Sequence, residues 1–233
     1  MTLEGTNTWV LRAPDAPECV VIDPGEDDDR HLRAVAAHGP VALVLLTHRH
    51  HDHAGGARRF QELTGAPVRA LDPSLVLGSE ALADGDVVTA AGVELRVVAT
   101  PGHTSDSLSF LLTPDNAVLT GDTVLGRGTT VIAHPDGALG PYLESLRRLA
   151  DLAPDTAVLT GHGPELPDVA AAANAYLTHR EERLDQVRNA LARLGPRASP
   201  RAVVEDVYAD VDRALWPAAE LSVRAQLDYL RAE

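Results

Sequence analysis

The sequence predicts an α/β layered fold in which short strands alternate with helices, followed by a small helical module at the C-terminal end. Three observations carry this. Short runs of β-branched and aliphatic residues recur through the first two-thirds of the chain, bounded by Gly, Pro, Asp or Asn. Helical stretches fill some of the gaps between them. From Asp168 onward the pattern changes to an Ala-, Leu- and Arg-rich helical periodicity.

In chain order, strands are expected at residues 8–12, 19–23 and 41–46, more weakly at 67–70, and then at 93–99, 107–112, 117–120 and 157–159. Helices are expected at 27–38, behind a cluster of acidic residues, at 55–63, where Gly65 suits a helix stop, and at 141–152. The tail reads as a set of short helices broken at Gly195-Pro196 and again near Trp216-Pro217.

At 233 residues with 45% hydrophobic content, the chain has room for one sizeable domain and a small appendage. No apolar run approaches the roughly 20 residues that span a bilayer, so no membrane partner is expected and a cytoplasmic location is inferred. The single cysteine, Cys19, cannot form an internal disulfide and reads as a buried small hydrophobe in a strand. A formal charge of -14 argues against an extended surface for polyanions while leaving room for a local basic groove.

The stretch Leu45-Leu-Thr-His48-Arg-His50-His-Asp52-His53-Ala-Gly55-Gly56 follows an apolar strand directly. Side chains two apart at a strand end point the same way, so His48 and His50 can share one ion, while the turn that follows offers Asp52 and His53 to a second. The spacing differs from the helical two-His pattern, which places this site on a loop. Several imidazoles packed with a carboxylate need a cation or solvent to offset their repulsion. Three more candidates each follow a Gly on a turn after a strand-like run: Thr100-Pro-Gly-His103, Thr120-Gly-Asp122 and Thr160-Gly-His162. His31, His38 and His134 read as ordinary histidines, and His51 has no assigned role.

In this order the motifs resemble the metallo-β-lactamase superfamily over residues 5–179. Within it the likeness is nearest to the β-lactamase-like protein 2 group, on Gly5-Thr-Asn-Thr8, Gly126-Arg-Gly-Thr129-Thr130, Tyr142-Leu-Glu-Ser-Leu146, Gly161-His-Gly-Pro164 and Tyr176-Leu-Thr-His-Arg180. The resemblance implies an αββα sandwich as the catalytic domain over residues 1–177 and a winged-helix-like domain over 178–233. It implies that His48, His50 and His103 hold one metal, that Asp52, His53 and His162 hold the other, and that Asp122 bridges them. Two Zn2+ are the expected cofactors, with Mn2+ or Fe2+ an alternative at the oxygen-richer site. Such a pair brings the pKa of a shared water toward ~7, and the bridging hydroxide attacks a carbonyl carbon or a phosphorus. Asp52, a ligand, also orients that nucleophile as the catalytic carboxylate. The family has a further strand ahead of the Gly-Thr-Asn-Thr motif; with Met1 four residues before Gly5, either an upstream start or a lost edge strand is implied.

Asp122 stands where efficient β-lactam-cleaving relatives mostly carry Cys, which argues against antibiotic hydrolysis. A single-stranded RNA phosphodiester is the first expected substrate, on the winged-helix-like tail and the seven Arg from Arg180 to Arg213. A small thioester of the hydroxyacylglutathione type is the second. Arg127 and Thr129 on the loop after Asp122, together with His179, are the candidate substrate contacts. An iron persulfide dioxygenase and a non-enzymatic nucleic-acid-binding module are lesser alternatives, and the complete ligand set argues against both.

Overall fold

A computed structural model describes residues 5–232, so the segment ahead of Gly5, and with it the expectation about a preceding strand, lies outside the described residues. Two sheets stack between helical layers. The first has four strands in the order β1 (Trp9–Leu11), β2 (Cys19–Ile22), β3 (Val41–Leu45) and β4 (Val68–Arg69). The second has five, in the order β5 (Val87–Ala90), β6 (Val93–Ala99), β7 (Leu108–Leu112), β8 (Ala117–Gly121) and β9 (Ala157–Thr160). β2, β3 and β4 run parallel, as do β8 and β9, while the remaining pairs are antiparallel.

Strand alternation sorts the apolar residues into layers. Val20, Ile22, Leu43 and Leu45 face the second sheet and pack with Leu95, Val97, Leu108, Phe110 and Leu119. Their neighbours Val21, Val44 and Leu46 face outward against Leu32 of α1 (Asp29–Ala36) and Phe60 of α3 (Ala57–Thr64). Cys19 lies in that outer cluster, fully buried as expected of it. On the far side, Val118 and Val158 pack against α4 (Leu139–Ala150) and α5 (Val169–Leu194). The result is the αββα sandwich.

Helix ends follow their capping chemistry. Asp28 accepts the backbone N–H groups of Arg30 and His31 at the start of α1, and Gly65 closes α3 in the left-handed region at φ 76°. The helix expected at 55–63 differs at its start, because α2 (His51–Ala54) precedes it and the two are parted at Gly55-Gly56. At Gly56 a Cβ would stand 2.6 Å from the Glu26 carbonyl oxygen, so the chain turns there where only glycine fits. β5 was not expected at all; it is an edge strand whose outermost residue, Val87, is 52% exposed.

The tail departs from a set of short helices. α5 is one helix of 26 residues, started by an Asp168 cap and ended at Gly195. It passes through residues 177 and 178 without a break, packing with α4 as far as Leu184 and, from Val187, with α6 (Pro200–Val207) and α7 (Trp216–Ala232). Pro217 does not end a helix; it sits in the first turn of α7, where its missing N–H costs nothing. Among the described residues no helix is long and apolar enough to cross a membrane.

Candidate metal centre

The site is assembled at strand ends. His48 follows β3, His103 follows β6, Asp122 follows β8 and His162 follows β9, while α2 supplies Asp52 and His53. Two groups of side chains form there, His48 with His50, His103 and Asp122, and Asp52 with His53 and His162; within each group the candidate ligand atoms lie within 4.8 Å of one another. In the first, His50 Nδ1 stands 3.1 Å from His48 Nε2 and 3.0 Å from His103 Nε2. In the second, His53 Nε2 and His162 Nε2 are 3.3 Å apart, and Asp52 Oδ2 is 3.4 Å from His162 Nε2. Asp122 reaches both, with Oδ1 3.3 Å from His53 Nε2 and Oδ2 3.6 Å from His103 Nε2.

The outer nitrogens decide what the inner ones can do. His103 Nδ1 lies 2.6 Å from the Val131 carbonyl oxygen and His162 Nδ1 lies 2.9 Å from that of Gly5. A carbonyl only accepts, so these Nδ1 atoms carry the protons and the neutral rings present Nε2 lone pairs inward. His53 Nδ1 donates to Asp23 Oδ2 at 2.8 Å, and Thr47 Oγ1, which itself donates to Asp23, takes the Nδ1–H of His48 at 3.0 Å. Lone pairs and carboxylates therefore converge on one buried space.

Electrostatics agree with that geometry. Burial drives the His48 ring well below the ordinary imidazole range, aided by the neighbouring His53, and also lowers His103. Burial opposes ionisation of Asp122, yet the imidazoles of His162 and His53 that face it outweigh that and hold the carboxyl well below its usual value. His53 is pressed the same way: burial works against a charged ring, but Asp23 and Asp122 push its pKa up to about 10. A positive charge is wanted at this point, and Asp122 Oδ1 is buried with no hydrogen-bond donor. The donor set of imidazole nitrogens and carboxylates fits a binuclear metal site.

The other residues singled out in the sequence lie around this cluster. Arg127 and Thr129 are exposed on the loop beyond Asp122, which is tied to the His162 turn by a hydrogen bond of 2.8 Å from Gly126 N–H to the His162 carbonyl. His179 is half-buried on α5 and belongs to neither group. The Gly5–Thr8 segment serves the centre through Gly5, through Thr6, whose hydroxyl donates to Asp52 Oδ2 at 3.0 Å, and through Asn7, which donates to the carbonyls of Thr160 and Gly163. Sequence reasoning missed Asp23 and Thr47. Asp23 carried a signal, a carboxylate ending the wholly apolar run Cys19–Ile22, where burial demands a partner; Thr47 carried none.

Residues 1–162 match the model of the metallo-beta-lactamase superfamily, and residues 199–233 match the beta-lactamase associated winged helix domain. The chain belongs to the metallo-beta-lactamase superfamily. Its family and its His/Asp cluster are consistent with a metal-dependent hydrolase. The beta-lactamase-like protein 2 homolog of Drosophila melanogaster is 30% identical over 254 residues, an alignment covering 100% of this chain and 84% of the fly protein. Two fungal proteins, lactamase-like protein adaB of Aspergillus niger and atrochrysone carboxyl ACP thioesterase of Aspergillus fumigatus, are each 36% identical over 203 residues, and the chain spans 61% of the length of each. Among solved structures, a metallo-beta-lactamase family protein of Thermus thermophilus superposes with a TM-score of 0.79 at 22% identity, covering 100% of this chain and 95% of that one, a likeness of fold.

Proposed function

We propose that the protein is a two-metal hydrolase of thioesters, with His48, His50, His103 and Asp122 at one ion, Asp52, His53 and His162 at the other, and Asp122 shared. The observation that carries this reading is the position of Asp122, whose two oxygens stand 3.3 and 3.6 Å from imidazole nitrogens of different groups. When bound, a pair of Zn2+ ions, or Zn2+ with Mn2+ or Fe2+, supplies a water nucleophile at neutral pH and polarises the scissile carbonyl. Asp52, fixed by the Thr6 hydroxyl, orients that water and holds a proton at Oδ1 or Oδ2 during turnover. Arg127 and Thr129, exposed at the rim, meet the polar end of the substrate.

The thioester ranks ahead of RNA on two grounds. A fungal relative bears the name of a thioesterase. The tail arginines are also engaged: Arg188 pairs with Asp185 and Arg201 with Glu205 at 3.0 and 2.9 Å, Arg193 pairs with Asp206, and Arg183 and Arg213 lie over the rings of Tyr208 and Trp216. In a chain of net charge -14 this leaves little for a phosphate backbone. Single-stranded RNA is the second reading, favoured by the winged helix domain.

The test sets hydrolysis of an acylglutathione and an acyl-pantetheine beside cleavage of a short unstructured RNA, across a salt series, with Asp122→Ala as the control for contaminants. Thioester turnover that is insensitive to salt and lost in the control is the expected result. RNA cleavage that depends on Asp122, with thioesters untouched, reverses the order.

A further inference from the structure

We propose that Arg180, on the tail helix α5, is a positioning residue for Asp122. The proposal rests on the reading of Asp122 as the shared ligand. Arg180 is 4% exposed, and among the described residues no carboxylate comes within ion-pair distance of it. Its guanidinium donates to the Thr130 carbonyl and lies 5.1 Å from the centroid of the Tyr142 ring, while its Nε is buried without a partner.

Burying a guanidinium with no counter-ion is costly, and an unbranched apolar side chain would fill the same space without that cost. Packing therefore does not explain an arginine here. What the guanidinium adds is a hydrogen-bonded path. It holds the Thr130 carbonyl, and the Thr130 hydroxyl donates to the Asp122 carbonyl at 2.6 Å. Tyr176, one turn earlier on α5, grips the same loop: its hydroxyl accepts the Leu125 N–H at 3.0 Å and donates to the Gly128 carbonyl at 2.9 Å. Beneath the guanidinium, the Tyr142 hydroxyl donates to the Thr123 carbonyl at 2.7 Å. The two peptide groups that flank Thr123, next to Asp122, are thus anchored, one through Thr130 from Arg180 and one from the ring on which Arg180 lies. A helix whose C-terminal part packs against the winged helix domain thereby sets where the carboxylate of Asp122 stands.

The experiment uses the full chain stripped of metal and reloaded with Co2+ or Zn2+. Arg180→Met removes the donor but keeps the volume, Thr130→Val removes only the link to Asp122, and Arg180→Lys restores a single donor. Three quantities are read: the affinity for each metal equivalent by chelator competition, the Co2+ ligand-field spectrum, and the melting temperature of the metal-free protein. Arg180→Met and Thr130→Val should each weaken one metal equivalent about tenfold or more and alter the spectrum. Arg180→Lys should recover part of both, and metal-free Arg180→Met should melt no lower than wild type. Wild-type affinities and spectra in both Arg180→Met and Thr130→Val overturn the proposal, whatever happens to melting. If Arg180→Met does not fold, Thr130→Val decides alone. Asp122→Ala, measured alongside, should lose an equivalent outright; if it keeps both, the ligand reading of Asp122 fails and this proposal falls with it.

Discussion

Asp23 offers the sharpest test of how the centre is held. Its carboxylate accepts three hydrogen bonds, from the Thr47 N–H at 2.8 Å, the Thr47 hydroxyl at 2.6 Å and His53 Nδ1 at 2.8 Å. The backbone there is left-handed at φ 51°, a conformation that Asn tolerates well, so Asp23→Asn changes the chemistry without straining the chain. If the amide oxygen keeps the Thr47 N–H, the amide NH2 faces the Thr47 hydroxyl and His53 Nδ1, both of which are donors. His53 relieves the clash by moving its proton to Nε2, the atom that faces His162 and Asp122, and its inward lone pair is lost. Loss of such an outer partner weakens metal binding by roughly 10–100-fold, about 1.4–2.8 kcal/mol. Chelator competition with Zn2+ should therefore show one weakened equivalent in a protein whose metal-free melting still shows a cooperative fold. Wild-type affinity for both equivalents in folded Asp23→Asn would refute the tautomer argument.

Three further outcomes follow from the same geometry. Asp122→Ala should reduce turnover by more than the roughly 10–100-fold expected of an outer partner, with circular dichroism close to wild type; near-normal turnover would remove Asp122 from the centre. Gly102→Ala should lower stability by about 2–4 kcal/mol in denaturant unfolding, because the added Cβ would fall 2.3 Å from the Tyr142 Cα at a φ of 137°; an unchanged midpoint would contradict that close approach. The metal-free protein should lose stability as pH rises from ~6.5 through about 10, since the folded pKa of His53 is raised. The sign follows from linkage: a raised imidazole stabilises fully below its unfolded value and loses that contribution as pH climbs through the folded one. Bound metal takes the place of that proton, so the gain in melting temperature on adding Zn2+ should grow across this window; a gain that shrinks with pH would tell against it.

The order of chemistry along the chain was legible without coordinates. A His-rich turn after an apolar strand, then three Gly-His or Gly-Asp turns after later strands, picks out the seven side chains that the fold brings within reach of one another. The short aliphatic runs likewise marked most of the strands, while which of their residues fill the space between the sheets was decided by the packed chain. Tertiary structure decided what holds those rings and in which protonation state. Two of the restraints are backbone carbonyls, of Gly5 and Val131, and a carbonyl is present at every residue, so it leaves no mark in a sequence. Asp23 and Thr47 act across 30 residues and one residue respectively, a pairing fixed by the register of β2 on β3. The tail shows the same division. Its arginines were countable, but their partners follow from helix spacing and packing, which turned most of them toward neighbouring acids or rings and buried Arg180 against the loop of Asp122. Residue type sets what a side chain can donate, accept or ligate; only the packed chain sets which atoms face it.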